Sequence, residues 1–338
     1  MATIVAPVTP TTSTVREGEP HPIRALILSR VALGLITFVA VSIIIFWATE
    51  VLPGNAASAI LGHDATPTRL HALELQMGLD KGIYSQYWTW ISGVFTGKLG
   101  VSLASGLPVW STVSPRLVDS AVLVALAGAI GTVIGVALGA YAALRKDKLL
   151  DHVFSVVALA VTSLPEFVIA IILIILFATV VSHLLPAVSL LPPGTYPWNS
   201  PKDMVLPVAT LVIVIVPYLY RMMRAAMIEA LESDYVEMAR LKGLSQWRIV
   251  LVHALPNAVA PTIQVIGLNF LYLAGGIVIV ENVFNYPGIG TGLVNAVSSR
   301  DIPVIQLIVI ILAGFYVFVN ILTDVIALLA SPRRRLPR

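Results

Sequence analysis

Long stretches of the chain carry no formal charge, and charged residues punctuate them at intervals suited to a membrane. Arg30 and Glu50 bracket 19 uncharged residues, Asp119 and Arg145 bracket 25, and Asp203 and Arg221 bracket 17. His253 and Glu281 bracket 27, and Asp301 and Asp324 bracket 22. The stretch from His152 to His183 holds a single charge, Glu166. A helix needs about 20 apolar residues to cross a hydrocarbon core of about 30 Å, so the pattern predicts six spans. In lipid the backbone must satisfy its own hydrogen bonds, which makes these runs helices rather than open strands. The third run, 30 residues between its histidines, would be about 45 Å long as one helix. Pro165 interrupts it, so a kink or tilt is expected there.

Arg24 and Arg30 precede the first run, as in a secretory signal. Its apolar stretch exceeds the usual 7–15 residues or so of such a signal, and five further runs follow it, so it is read as an uncleaved first helix. Residues 1–22 are rich in Thr and Pro without hydrophobic periodicity. They read as a disordered cytoplasmic tail, ahead of a membrane domain over 23–331 and a basic cytoplasmic tail over 332–338. Fifteen of the 21 Lys and Arg fall before the first run, between the second and third, from the end of the fourth to the fifth, and after the sixth. The other six, Arg69, Lys81, Lys98, Arg116, Lys202 and Arg300, fall on the opposite side. Basic residues stay inside, which places both termini in the cytoplasm.

Charged residues make up 12% of the chain and hydrophobic ones 57%, with a mean hydropathy of +0.90. A soluble domain carries about 25% charged residues, so a water-facing globule is excluded. The net charge of +3 is explained by topology, so no nucleic-acid partner is implied. There is no cysteine, which removes disulfides, zinc thiolates and cysteine nucleophiles. Six histidines are scattered without a pair at helical ligand spacing, so no metal site is expected. Gly93-Val-Phe-Thr-Gly-Lys-Leu99 superficially resembles a phosphate-binding loop, but it has three residues between its glycines and Leu99 where Ser or Thr would hold magnesium.

Two connections are too long to be turns. Residues 50–117 are extracytoplasmic on this topology and contain an amphipathic stretch around Tyr84, Tyr87, Trp88 and Trp90, whose aromatics suit a membrane interface. Residues 221–257 are cytoplasmic and contain Asp234-Tyr-Val-Glu-Met-Ala-Arg-Leu-Lys-Gly243. Asp234 and Glu237 form a capping-box pattern. Gly243 suits the left-handed residue that closes a helix, with Arg240 and Lys242 where the dipole favours cations. Ser245 can cap a second helix leading to Pro256. A helix of about eight residues is not stable alone in water, so Val236, Met238, Ala239 and Leu241 imply a surface to rest on. On the residues alone, a partner protein and the lipid headgroups are both open readings.

Glu237-Met-Ala-Arg-Leu-Lys-Gly243, followed by His253-Ala-Leu-Pro256, resembles the Glu-Ala-Ala…Gly…Leu-Pro loop of ABC importer permeases. Met238 departs from the pattern by replacing an alanine. Asp234-Tyr-Val and His253-Ala-Leu are similar to the dipeptide/oligopeptide/nickel branch. So are Leu52-Pro-Gly54, Met77-Gly-Leu-Asp80, Gly97-Lys-Leu-Gly100, Ser163-Leu-Pro165, Glu281-Asn-Val-Phe284, Tyr286-Pro-Gly-Ile-Gly290 and Arg300-Asp-Ile-Pro303. The order is that of the family from about residue 25 to 335. The resemblance implies an all-α type I permease of six transmembrane helices in a prokaryotic cytoplasmic membrane. Its coupling helix would sit in a cleft of an ATPase subunit, with Asp234, Glu237, Ala239, Gly243 and Pro256 in the coupling loop. It further implies a second permease, two ATPase subunits holding ATP and magnesium, and an external solute-binding protein. No cofactor is expected in this chain. Short peptides are the implied cargo, with nickel, glutathione or another small solute as alternatives within the branch.

Three acids lie in or near spans, where ionisable side chains are costly and often functional. Glu166 can line a pathway, or complete the capping box of Ser163-Leu-Pro-Glu166. Asp324 can pair with cytoplasmic cations or contact substrate. Glu281 can hold the Asn285–Gly290 turn or act at an outer gate. In a rival class, a proton-coupled secondary transporter, Glu166 and Asp324 would form a relay. Gly128, Gly131, Gly135 and Gly139 form a small-residue face in the second run, fit for close packing within the bundle or against a partner permease.

Overall fold

The computed structural model describes residues 22–50, 66–77, 81–180, 183–192 and 194–330. The tails over 1–21 and 331–338, Leu52-Pro-Gly54 and residues 78–80 lie outside them. The elements are, in chain order, α1 (Pro22–Glu50), α2 (Pro67–Met77), α3 (Ile83–Thr96) and α4 (Val109–Leu144). Then come α5 (Leu149–Thr162), α6 (Glu166–Val180, ending in a π turn), α7 (Pro201–Leu231) and α8 (Asp234–Leu241). The last are α9 (Gln246–Phe284, with a π segment at Ile249–Ala254), α10 (Ile289–Ser298) and α11 (Ile302–Ala330). Among the described residues the only β pairing is an isolated bridge between Val101 and Pro108.

Five helices, α1, α4, α7, α9 and α11, are long and apolar enough to cross a membrane, and α5 with α6 makes a sixth if counted as one broken span. The break is far sharper than a kink: the two halves meet at 104°. Pro165 has no N–H to donate and pushes Leu164 out of the helical region. The hydroxyls of Thr162 and Ser163 both turn back to the Leu159 carbonyl, each at 2.9 Å, and close the last turn of α5. At about 21–23 Å, neither half covers a 30 Å core alone. The run expected to kink or tilt is therefore a corner.

The bundle is built around α7, whose most apolar window is 61% buried, against 11% for α1. The glycine face of α4 lies within the bundle. A Cβ on Gly131 or Gly135 would come within 2.6 Å of Ile215 or Leu219 of α7, and one on Gly139 would meet the Tyr220 carbonyl at 2.6 Å. Gly128 faces Phe270 of α9 instead. Lipid is as apolar as a leucine side chain, so close backbone approach of this kind is what holds membrane helices together. Arg224 of α7 grips Asp151 at the start of α5 with two bonds of 2.5 and 2.6 Å. Helix α1 is peripheral, resting on α11 and α3. There Tyr87 and Trp90 pack against Phe46 at 5.4 and 5.6 Å, while Tyr84 and Trp88 stay exposed, as at a membrane interface.

Helices α8 and α10 mark opposite ends of the bundle, because the 39-residue α9 runs from one to the other. At the α10 end, buried Asp301 precedes α11 and accepts from Ser102 Oγ and from the Leu103 N–H at 3.1 Å. The loop before α4 is pinned to the base of α11 by this carboxylate.

Candidate functional site

The sequence singled out four places, and the structure treats each differently. At the α8 end, Gly243 has φ +75°. Its N–H donates to the Arg240 carbonyl at 2.9 Å, and the Leu244 N–H reaches the Ala239 carbonyl at 3.2 Å. That is the paired bonding of a Schellman closure. Leu244 completes it by packing with Val236, Ala239 and Ile249 in a small cluster of the chain's own side chains. The start of the helix departs from expectation. Asp234 already lies inside α8, and Ser233 holds the capping position without a side-chain cap bond. The Ser233 hydroxyl turns back to the Ala230 carbonyl at 2.5 Å. Asp234 and Glu237 therefore act on the helix through its dipole, not through a capping box.

The apolar residues of α8 divide into two stripes. Val236 and Ala239 are buried against Ile249 of α9. Tyr235, Met238 and Leu241, spaced by three, remain exposed, Leu241 at 76%. Ala239 thus seats the helix on its own chain, and the outward face belongs to residues that sequence reasoning pooled with it. The signal was available: 235, 238 and 241 share a face distinct from that of 236 and 239. Pro256 lies inside α9, two residues after the end of the π segment at Ile249–Ala254. The widened turn accommodates a residue that cannot donate. Asn257 supplies a side-chain donor to the His253 carbonyl at 2.7 Å.

Midway along the bundle, Glu166 is the first residue of α6, preceded by Pro165 with no side-chain cap bond. The Ser163–Glu166 capping box does not form, since Ser163 bonds Leu159. The Glu166 carboxylate instead accepts from Tyr272 of α9 at 3.3 Å and lies beside Gly276. Tyr272 in turn neighbours Tyr218 of α7, with ring centroids 6.2 Å apart, and the Arg221 guanidinium sits 5.4 Å over Tyr218. Tyr218 and Tyr272 are 39% and 42% exposed. A polar and aromatic strip thus occupies a face of α6, α7 and α9 that the chain itself leaves uncovered.

At the α10 end Glu281 is fully buried. One carboxylate oxygen accepts from Ser120 Oγ at 2.5 Å, and the other from the N–H groups of Gly290 and Thr291 at 2.7 and 3.1 Å. Ser120 Oγ itself accepts from the Ile289 N–H at 2.8 Å. A carboxylate at a helix N-terminus satisfies free donors and suits the dipole, and here it ties α9 and α4 to α10. A Cβ on Gly288 would fall 1.9 Å from Glu281 Oε1, and one on Gly290 would fall 2.5 Å from the Val278 backbone, so both positions require glycine. Glu281 faces no open space. Asp324, at the α8 end of α11, pairs with Arg30 of α1 at 3.2 Å.

Glu166 and Asp324 are not brought together: their partners lie on α9 and on α1 respectively. Among the described residues no group of three His, Cys, Asp or Glu could hold a metal ion.

Two family models match the chain. Residues 135–336 match the binding-protein-dependent transport system inner membrane component, and residues 23–123 match the N-terminal membrane component of the same systems. The chain is 34% identical over 311 residues to the "Probable peptide ABC transporter permease protein y4tP" of Sinorhizobium fredii, covering 91% of this chain and 98% of that one. It is 32% identical over 332 residues to the dipeptide transport system permease protein DppB of Escherichia coli K12, covering 91% and 98%. It is 33% identical over 304 residues to the glutathione transport system permease protein GsiC of an Escherichia coli O6:H1 strain, covering 90% and 96%. In fold it is similar to a chain of the MetNI methionine ABC transporter in inward-facing conformations, with a TM-score of 0.52 at 16% identity, covering 63% of this chain and 93% of that one.

Proposed function

The chain belongs to the binding-protein-dependent transport system inner membrane component family, and from that premise we propose that it carries short peptides across the membrane as one half of a paired permease. It is a multi-pass membrane protein and a permease subunit of an ABC importer. The observation that carries the peptide reading is the similarity over nine-tenths of the chain to permeases named for peptides and dipeptides. Glutathione, itself a modified tripeptide, is the second reading, favoured by the 33% identity to a permease named for it.

The exposed stripe of α8 seats in a cleft of a separate ATPase subunit, where ATP and magnesium bind. Asp234, Glu237, Ala239, Gly243 and Pro256 hold that stripe in place. A second permease covers the strip around Glu166, Tyr272 and Tyr218, so that the strip lines the pathway between the two. An extracytoplasmic binding protein delivers the cargo at the α10 end. Both termini are cytoplasmic, in keeping with the distribution of Lys and Arg.

The experiment is purification of the complex from its native membrane, identification of its subunits by mass spectrometry, and peptide uptake by proteoliposomes made from it. ATP-dependent accumulation of di- and tripeptides is expected. A complex lacking ATPase subunits, or uptake indifferent to ATP, would sink the proposal. In the same assay Glu166→Gln should change the rate of uptake while assembly is kept; uptake at the wild-type rate would remove Glu166 from the pathway. Orientation is read from single cysteines at the exposed positions Ala104 and Ser245. A membrane-impermeant thiol reagent should label the first and spare the second in intact cells.

A further inference from the structure

At the α10 end, the first turns of α4 and residues of the connection leading to α7 line a half-open cavity of about 650 Å³. Sites for small molecules commonly measure about 300–1,000 Å³. The wall combines hydroxyls of Ser111 and Ser114, apolar surface from Leu191 and Pro287, and two charged residues one helical turn apart, Arg116 and Asp119. Pro115, also in the wall, removes the intrahelical donor that would serve the Ser111 carbonyl.

Asp119 is unlike the other buried acids. Asp151 and Asp301 have their carboxylates bonded, as does Glu281. As a residue Asp119 is 8% exposed, no described residue hydrogen-bonds its side chain, and its carboxylate oxygens are not sealed off but reach the open space that Asp119 lines. Arg116 acts on it electrostatically but donates to the Gly288 carbonyl at 3.4 Å. A carboxylate held by no side-chain bond and facing an open space is free to take a ligand's donor. Its backbone is held firmly, since the Asp119 carbonyl accepts from the Tyr286 hydroxyl at 2.9 Å and the neighbouring Ser120 bonds Glu281. A fixed anion opening into a partly polar cavity calls for a ligand cation. With a cation one turn away, the complementary ligand carries both charges.

We infer that this cavity is a receiving site for short zwitterionic peptides, with Asp119 taking the α-ammonium group and Arg116 lying toward the carboxylate. The inference rests on the peptide-import reading. An ammonium that loses its charge-assisted bond to a carboxylate forfeits about 1.5–3 kcal/mol, roughly 10- to 150-fold in affinity.

The test uses the complete complex in lipid nanodiscs without binding protein, incubated with radiolabelled Ala-Ala and, as a control, N-acetyl-Ala-Ala. Wild type should retain Ala-Ala and bind the acetylated form at least about tenfold more weakly. Asp119→Asn should show the same loss with Ala-Ala, and Asp119→Glu should recover part of the binding. Size-exclusion chromatography checks assembly of each variant, and the Glu variant keeps the test open if the Asn variant does not assemble. ATP-driven uptake of a di- and tripeptide panel, with binding protein, is measured in parallel. Equal retention by wild type and Asp119→Asn overturns the site, as does a complex that imports Ala-Ala but retains none; both leave the import reading standing. Failure to import any peptide overturns the import reading and the site with it.

Discussion

Gly243→Val is expected to leave the permease inserted and paired but to cut ATP-driven uptake by one to two orders of magnitude. Gly243 sits at φ +75°, where a β-branched residue is strained. Strain of about 1–3 kcal/mol corresponds to a roughly 5- to 150-fold fall in the population of the seated helix. The closure bonds from Gly243 to Arg240 and from Leu244 to Ala239 would open first, and the exposed stripe would lose its aim. Leu241→Asp is the companion variant. It keeps the closure and places a charge on the outward stripe, so it should weaken ATPase binding without disturbing α8 itself. Glu237→Lys should be milder, because Glu237 makes no capping bond and its dipole interaction is worth about 0.3–1 kcal/mol. Pull-down of the ATPase together with uptake reads all three. Wild-type uptake in both Gly243→Val and Leu241→Asp would remove α8 from coupling.

Glu281→Ala should be the most destabilising single change at the other end of the bundle. It deprives Ser120 Oγ and the N–H groups of Gly290 and Thr291 of their acceptor. Each buried donor left unpaired costs about 1–3 kcal/mol, so the sum is comparable with the roughly 5–15 kcal/mol that keeps a typical domain folded. Glu281→Gln should fall between, since one amide oxygen can still accept while the amide nitrogen faces donors. The melting midpoint of the detergent-solubilised protein, followed by size-exclusion chromatography, should fall in the order wild type, Gln, Ala. An unchanged midpoint for Glu281→Ala would show that the three bonds contribute nothing to holding α10.

The spans were legible because the physics behind them is coarse: charge is excluded from lipid, and the bracketing residues can be counted. Gly128 to Gly139 were equally plain as a packing face, though only the fold shows Ile215, Leu219 and Tyr220 as their partners. Local patterns did less well. Asp234/Glu237 and Ser163/Glu166 both have capping-box spacing, yet neither box forms. A cap depends on which residue leaves the helical region, and the fold placed that change at Ser233 and Pro165. Pro165 located a break without giving its angle, because what the two halves pack against decides between a kink and a corner of 104°. Asp119 looked like the edge of a span, and nothing in its neighbours along the chain announces a carboxylate lining an open cavity.

Helix α9 gives all these places a common mechanical fate. Its 39 residues, about 58 Å as a helix, carry Ile249 against α8, Tyr272 against Glu166 and Glu281 against α10. It is a lever with a load at each end and a bearing near the middle, and its slack lies toward the α8 end, in the π segment at Ile249–Ala254 and at Pro256 and Pro261. A few degrees of tilt set at the α8 end would reach the bearing and the far end in the same stroke. The closure at the α8 end and the carboxylate tie at the α10 end are therefore not two devices that need a signal between them, but the two ends of one rod.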